Sequence, residues 1–279
     1  MSKSTIVVPW GEMPHGIPPV LQETPQLGDV DPAQVRTVHA PVMVRLDASG
    51  GLHLCSGRGG IVHCGPDGTI AGTTPLPSGR PVDYAVGTDV VIVLTGQQLL
   101  ALDREGHTRW EVTGSFAGVL LGEGGQLFVP ERDQPVVRRM DVMTGRTVRT
   151  IDRRPDAGRL FLAAGGLCAV HTDLDAGVRG VEVITGDGES VVTAFPDREH
   201  YAWLVHPIGF DERLSVYVWR DDDLARVTLE GQIEQLGRAP AVDDLPPPNL
   251  WQVTPDGHIV IAHSDPAGVK VLTLVRGRG

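Results

Sequence analysis

Gly87-Thr88-Asp89-Val90-Val91-Ile92-Val93-Leu94-Thr95-Gly96-Gln97-Gln98-Leu99-Leu100-Ala101-Leu102-Asp103-Arg104-Glu105-Gly106-His107-Thr108-Arg109-Trp110-Glu111-Val112 decides the fold. A Gly-Thr turn leads into the run Val90–Leu94, a loop returns the chain into Leu99–Leu102, and the Glu105-Gly106 turn hands it to Thr108–Val112. β-Branched and aliphatic residues favour extended backbone, and glycine marks the tight turns between such runs. No helical apolar period is sustained here or elsewhere in the chain.

The unit repeats. X-Gly turns stand at Asp67-Gly68, Glu105-Gly106, Thr144-Gly145, Asp187-Gly188 and Glu230-Gly231, with glycine intervals of 38, 39, 43 and 43, and Arg276-Gly277 is next in line. A second ladder runs in phase with the first, at Ser49-Gly50, Gly87-Thr88, Gly124-Gly125, Gly165-Gly166, Asp211-Glu212 and Asp256-Gly257. Four short antiparallel strands in roughly 40 residues is the period of a propeller blade. A β-sandwich also spaces strands at about 8–12 residues, but it does not require two turn ladders in constant phase.

These observations predict an all-β, six-bladed β-propeller in one domain over residues 1–279, with four-stranded blades near 42–77, 81–113, 116–151, 158–195, 202–238 and 249–279. The last unit stops at its X-Gly turn without a fourth strand, and residues 4–10, around Thr5-Ile6-Val7-Val8-Pro9, are predicted to supply it. That pairing covers a strand edge that would otherwise template aggregation. The proline-rich residues 11–41 read as a strap or lid.

Gln98 to Trp110 resembles the quinoprotein-type (PQQ-like) and NHL-like propeller repeats, in which an Ala-Leu-Asp segment, a turn glycine and a tryptophan recur. The resemblance implies the fold and does not imply the quinone. Trp10-Gly11-Glu12 is similar to the Gly-Glu that carries a metal-binding glutamate in lactonase-type propellers, but it follows the outer closing strand rather than opening an inner one.

Composition narrows the partners. With 24 Lys plus Arg against 35 Asp plus Glu the net charge is −11, which opposes attraction to phosphate backbones and anionic lipid, so neither nucleic acid nor membrane is expected. Cys55, Cys64 and Cys168 are an odd number without metal-type spacing and read as a reduced, cytoplasmic interior. No nucleotide, haem or quinone signature is present, Gly57-Arg58-Gly59-Gly60 lacks a phosphate-loop lysine, and the cofactor is left unknown with a divalent cation open.

The X-Gly turns are short and uniform, whereas the loops on the other face are irregular, and function is placed there. Two of them open alike, as His171-Thr172-Asp173 and His263-Ser264-Asp265. A carboxylate beside a histidine fixes its tautomer and stabilises imidazolium, the requirement for acid–base work. The plainer reading is a strand-end histidine followed by an Asx-turn aspartate. Tyr84, Tyr201, Trp203 and Trp251 fall at or just before inner strands and are candidate pocket walls, with Asp83, His200, His206 and Asn249 as polar groups. Packing between blades accounts for the same aromatics.

In the first blade a two-residue turn at Arg58-Gly59 is expected to pair His53 with Cys64, putting His53, Cys55 and Cys64 on one face and His63 on the other, which argues against a four-ligand zinc site. Two functions are consistent with this sequence. One is a small-molecule enzyme of hydrolase, lyase or cyclase type with its site at the channel mouth. The other is a non-catalytic scaffold that presents the irregular face to a protein partner.

Overall fold

The computed structural model describes residues 2–9, 43–47, 50–55, 60–65, 67–77, 81–163, 165–173, 175–196, 204, 206–220, 223–238, 251–265 and 267–275. Within them 24 strands form six antiparallel four-stranded sheets, and the fold class expected from the two turn ladders is observed. After the N-terminal β1 (Ser2–Pro9), blade 1 comprises β2 (Met43–Leu46), β3 (Leu52–Cys55), β4 (Gly60–Cys64) and β5 (Ile70–Pro75). Blade 2 comprises β6 (Asp83–Val86), β7 (Val91–Thr95), β8 (Gln98–Leu102) and β9 (Thr108–Thr113). Blade 3 comprises β10 (Leu120–Leu121), β11 (Gln126–Pro130), β12 (Val136–Asp141) and β13 (Thr147–Asp152). Blade 4 comprises β14 (Phe161–Ala163), β15 (Gly166–Asp173), β16 (Val178–Ile184) and β17 (Ser190–Ala194). Blade 5 comprises β18 (Pro207–Phe210), β19 (Val216–Arg220), β20 (Asp223–Val227) and β21 (Ile233–Arg238). Blade 6 takes β22 (Trp251–Val253), β23 (Ile259–Asp265) and β24 (Gly268–Val275), and β1 completes it.

The first strands of the six blades touch in a closed ring, β2 to β6, β10, β14, β18, β22 and back to β2. All eight residues of β1 pair with β24, from Ser2 opposite Val275 to Pro9 opposite Gly268. Val8 is fully buried there within an apolar cluster that joins blades 1, 5 and 6. The strap expected over residues 11–41 lies outside the described residues.

Contacts between blades explain the X-Gly ladder. The outer strand of each of four blades seats a side chain on the turn glycine of the next: Ile6 on Gly68, Pro75 on Gly106, Trp110 on Gly145 and Arg149 on Gly188. Gly68 and Gly145 have φ of +85° and +68°, a conformation glycine adopts without strain. A β-carbon at either would also strike the neighbouring blade. β1 therefore occupies an outer-strand position in packing as well as in pairing.

The hairpin of blade 1 departs from the expected register. Its ladder pairs His53 with His63, and Leu52 with Cys64, one residue out of the two-residue-turn alignment. A slip of one residue exchanges the faces of a strand. Both histidines therefore lie with Cys55 on the face toward blade 2, while Cys64 joins the apolar cluster on the other face.

Candidate functional site

At the loop-rich end of the ring, Arg45 and Asp83 of neighbouring blades form an ion pair, and Arg159 of a third blade lies within reach of their charges. Asp83 opens β6; its Oδ1 accepts the Tyr84 amide at 2.9 Å and the Arg45 guanidinium, and its Oδ2 accepts the Val119 amide at 3.0 Å. Arg45 also donates to the carbonyls of Tyr84 (3.2 Å) and Val44 (2.8 Å). The two charged side chains are only 14% and 15% exposed, so solvent screens this pair far less than a surface one. Burial lowers the Arg45 pKa, but Asp83, together with Tyr84 and Cys55, outweighs it and the guanidinium stands above its ordinary value.

Arg159 precedes β14, in the blade opposite Arg45 across the ring, and its guanidinium lies 5.5 Å from the Phe161 ring centroid. Burial lowers its pKa, Arg45 lowers it further, and Asp83 offsets part of this. Protein thus surrounds the guanidinium closely enough to desolvate it, yet the residue retains solvent-exposed surface.

The sequence candidates distribute unevenly around this centre. Asp83 belongs to it. Tyr84 is fully buried in the seam between blades 1 and 2, where its hydroxyl donates to the His53 carbonyl at 2.8 Å, and it serves inter-blade packing. His206 and Trp251 are brought together through Trp219, with ring centroids 6.0 Å and 6.5 Å from the Trp219 ring. Trp219 was not among the candidates, because it sits in a second strand rather than an inner one. Its indole nitrogen is buried without a hydrogen-bond partner. His200, Tyr201, Trp203 and Asn249 lie outside the described residues.

His171 is 6% exposed, with Nδ1 lacking a partner, and no hydrogen bond joins it to Asp173, whose Oδ1 instead accepts the Ala176 amide at 2.9 Å. The aspartate thus caps the turn that follows, by a bond to the amide three residues on. Register places His171 on the same sheet face as Glu182, a fully buried carboxylate that accepts the Arg154 amide and the Ser190 hydroxyl. His263 is half-buried opposite Lys270, and Asp265 ends the same strand.

On the uniform-turn face, Asp47 and Arg104 help wall a cleft of about 950 Å³, with Val90, Arg109, Leu121 and Met143. Asp103, Glu105 and His107 come close enough there to share a cation, but Asp103 is already engaged by the His107 amide and ring. Behind Asp47 runs a hydrogen-bonded chain. His53 Nε2 meets Asp47 Oδ2 at 3.0 Å, the two Nδ1 atoms of His53 and His63 meet at 2.8 Å, and His63 Nε2 meets the Thr74 hydroxyl at 2.8 Å.

Arg45, Arg159 and this chain were missed by sequence reasoning. For Arg45 a signal existed: it is a lone charge in the otherwise apolar inner strand Met43–Leu46.

No family model matches the chain, and no curated protein matches it either. Solved structures do. Virginiamycin B lyase from Staphylococcus aureus is similar over 98% of this chain and 99% of its own, at 14% identity and a TM-score of 0.53. BamB from Moraxella catarrhalis is similar over 86% of this chain and 84% of its own, at 17% identity and 0.52. The Pan2 WD40 domain of Neurospora crassa is similar over 85% of this chain and 76% of its own, at 10% identity and 0.52. At these identities the likeness shows the propeller fold, which a lyase, BamB and a WD40 domain share.

Proposed function

We propose that the chain binds a small molecule bearing a carboxylate or similar anionic group at the channel mouth of the loop-rich face. The observation that carries this reading is the Arg45–Asp83 pair inside the ring with Arg159, whose surface is exposed, within reach of its charges. Asp83 fixes Arg45 in place, so the site needs little reordering on binding. Acid–base turnover of lyase, hydrolase or cyclase type is the reaction class that accompanies this reading. A structural neighbour supports it: the virginiamycin B lyase described with quinupristin is catalytically inactive with one histidine replaced by alanine, so that propeller depends on a histidine. Here His263, half-buried at the loop-rich end of blade 6, is the better-exposed histidine of the two His-x-Asp segments.

Crystals soaked with a panel of small carboxylates, matched with their neutral amides, test the reading. Density for a carboxylate against Arg159, lost in Arg159→Gln, is expected. Carboxylates and amides bound alike, or guests found only away from the channel mouth, would overturn it. A stable protein partner held on the loop-rich face and displaced by no small carboxylate would favour the scaffold reading instead.

A further inference from the structure

The seam between blades 1 and 2 holds a four-member chain, Asp47–His53–His63–Thr74, whose proton bookkeeping has one solution when both imidazoles are neutral. Asp47 accepts only, so His53 carries its proton on Nε2 and offers a bare Nδ1. His63 then donates from Nδ1 across the 2.8 Å contact, and its bare Nε2 accepts the Thr74 hydroxyl. Asp47 is held in turn by the Gly51 amide at 2.8 Å. Every polar atom of the two rings is satisfied although the residues are 4% and 6% exposed.

We infer that this chain makes the seam between blades 1 and 2 an acid-operated joint. A proton added to His53 goes to Nδ1, and two N–H donors then face each other across 2.8 Å. One added to His63 goes to Nε2, where the Thr74 hydroxyl must turn from donor to acceptor and its own proton loses the ring nitrogen that accepted it, in a side chain that is 0% exposed. Either way a buried donor is left without an acceptor, a cost that is relieved when the ring leaves its place and the seam opens. Among the described residues, the groups facing the pair are few. Asp47 favours the added charge and Arg104, on the blade 2 turn, opposes it. From blade 1 Cys55 shares the face and Thr74 closes the chain, and from blade 2 the Tyr84 hydroxyl ties the His53 carbonyl. Of these only the Thr74 hydroxyl faces a vacant ring nitrogen, His63 Nε2, and none reaches between the two Nδ1 atoms. Asp47 and Arg104 also wall the cleft on the uniform-turn face, so opening of the joint alters that cleft.

Hydrogen–deuterium exchange of the full chain at pH 7.5 and pH 5.0, corrected for intrinsic exchange, tests the joint. Protection of residues 52–64 and 84–94 should fall at least about tenfold more than that of blades 3 to 5 at the lower pH, where ~1.4 kcal/mol is a tenfold change. In His63→Asn the side-chain amide can turn either its N–H or its oxygen toward His53, so the excess loss should vanish. Uniform loss across all blades, or an excess loss that persists in His63→Asn, would overturn the inference. Should that variant fail to fold, imidazole ¹⁵N spectra of the unmodified chain decide the matter. Neutral His53 with its proton on Nε2 and neutral His63 with its proton on Nδ1 at pH 7.5 support the joint, and any other pair of tautomers refutes it.

Discussion

Trp110 lies against Gly145 so closely that a β-carbon on the glycine would stand 2.7 Å from two indole carbons. The indole Nε1–H donates to the Val142 carbonyl at 2.9 Å, locking the outer strand of blade 2 onto the turn of blade 3. Gly145→Ala should therefore add a steric conflict to the cost of an L-residue at φ +68°, about 2–4 kcal/mol together. Gly124, at φ +67° with nothing within 4 Å of its would-be β-carbon, supplies the control: its alanine variant should lose only ~1 kcal/mol. Urea midpoints separate the two, and equal losses would contradict the packing account.

Asp83→Ala leaves the Arg45 charge largely buried without its partner and strips the Val119 amide of its acceptor. A loss of roughly 3–5 kcal/mol is expected, whereas Asp83→Asn, which keeps one acceptor oxygen, should lose distinctly less. Denaturant unfolding of both variants checks the order, and an alanine variant within about 1 kcal/mol of the parent would show that Arg45 does not depend on Asp83.

Stability should fall on mild acidification. Burial first, and then the His53 and Arg104 charges, hold the His63 pKa down to about 4, against an ordinary 6.5. The unfolded chain binds this proton as pH drops through 6.5, and the folded chain does so only near 4. The contribution is thus complete above 6.5 and lost across that window, at up to ~1.4 kcal/mol per pH unit. Urea midpoints at pH 7.5, 6.0 and 5.0 measure the slope, with His63→Asn expected to flatten it.

Burial pushes the thiols of Cys64 and Cys168 up to about 12, and Cys55 is buried as well. A rise of that size leaves on the order of a thousandfold less thiolate for attack. Iodoacetamide at pH 8 should label the folded chain at least ~100-fold more slowly than the urea-unfolded chain. Rapid labelling of either thiol in the native state would show that its site opens.

Val8→Asp places a charge in a fully buried position of the closing strand. Detachment of β1 bares the β24 edge, so the variant should self-associate as well as melt earlier. Light scattering and thermal unfolding report the two effects, and an unchanged monomer of parental stability would deny β1 its closing role.

How far the sequence reached depended on which feature the chemistry makes local. The turn glycines were legible because positive φ and the approach of Ile6 or Trp110 both demand a bare α-carbon, and this demand recurs in every blade that meets it. The missing fourth strand of blade 6 followed from the same phase. The blade 1 hairpin was not legible, since register turns on a single residue of loop length and its glycine-rich loop permits several. Arg159 was hidden for another reason: the charges that act on it, Arg45 and Asp83, are distant in sequence and come within reach of it only when the ring closes. His171 illustrates the converse, a motif that reads as chemistry but folds as a buried side chain whose neighbouring aspartate caps a turn.

The pairing of Ser2 with Val275 also carries a kinetic consequence. Each blade from the first to the fifth can zip from local hairpins, but the sixth needs the two ends of the ordered ring to find each other. Closing so long a loop is entropically slow, and contacts of such separation set the pace of folding. A chain whose β1 had not yet docked would carry an unsatisfied strand at one end and an unsatisfied edge at the other, the condition under which a second chain can donate its own first strand in exchange.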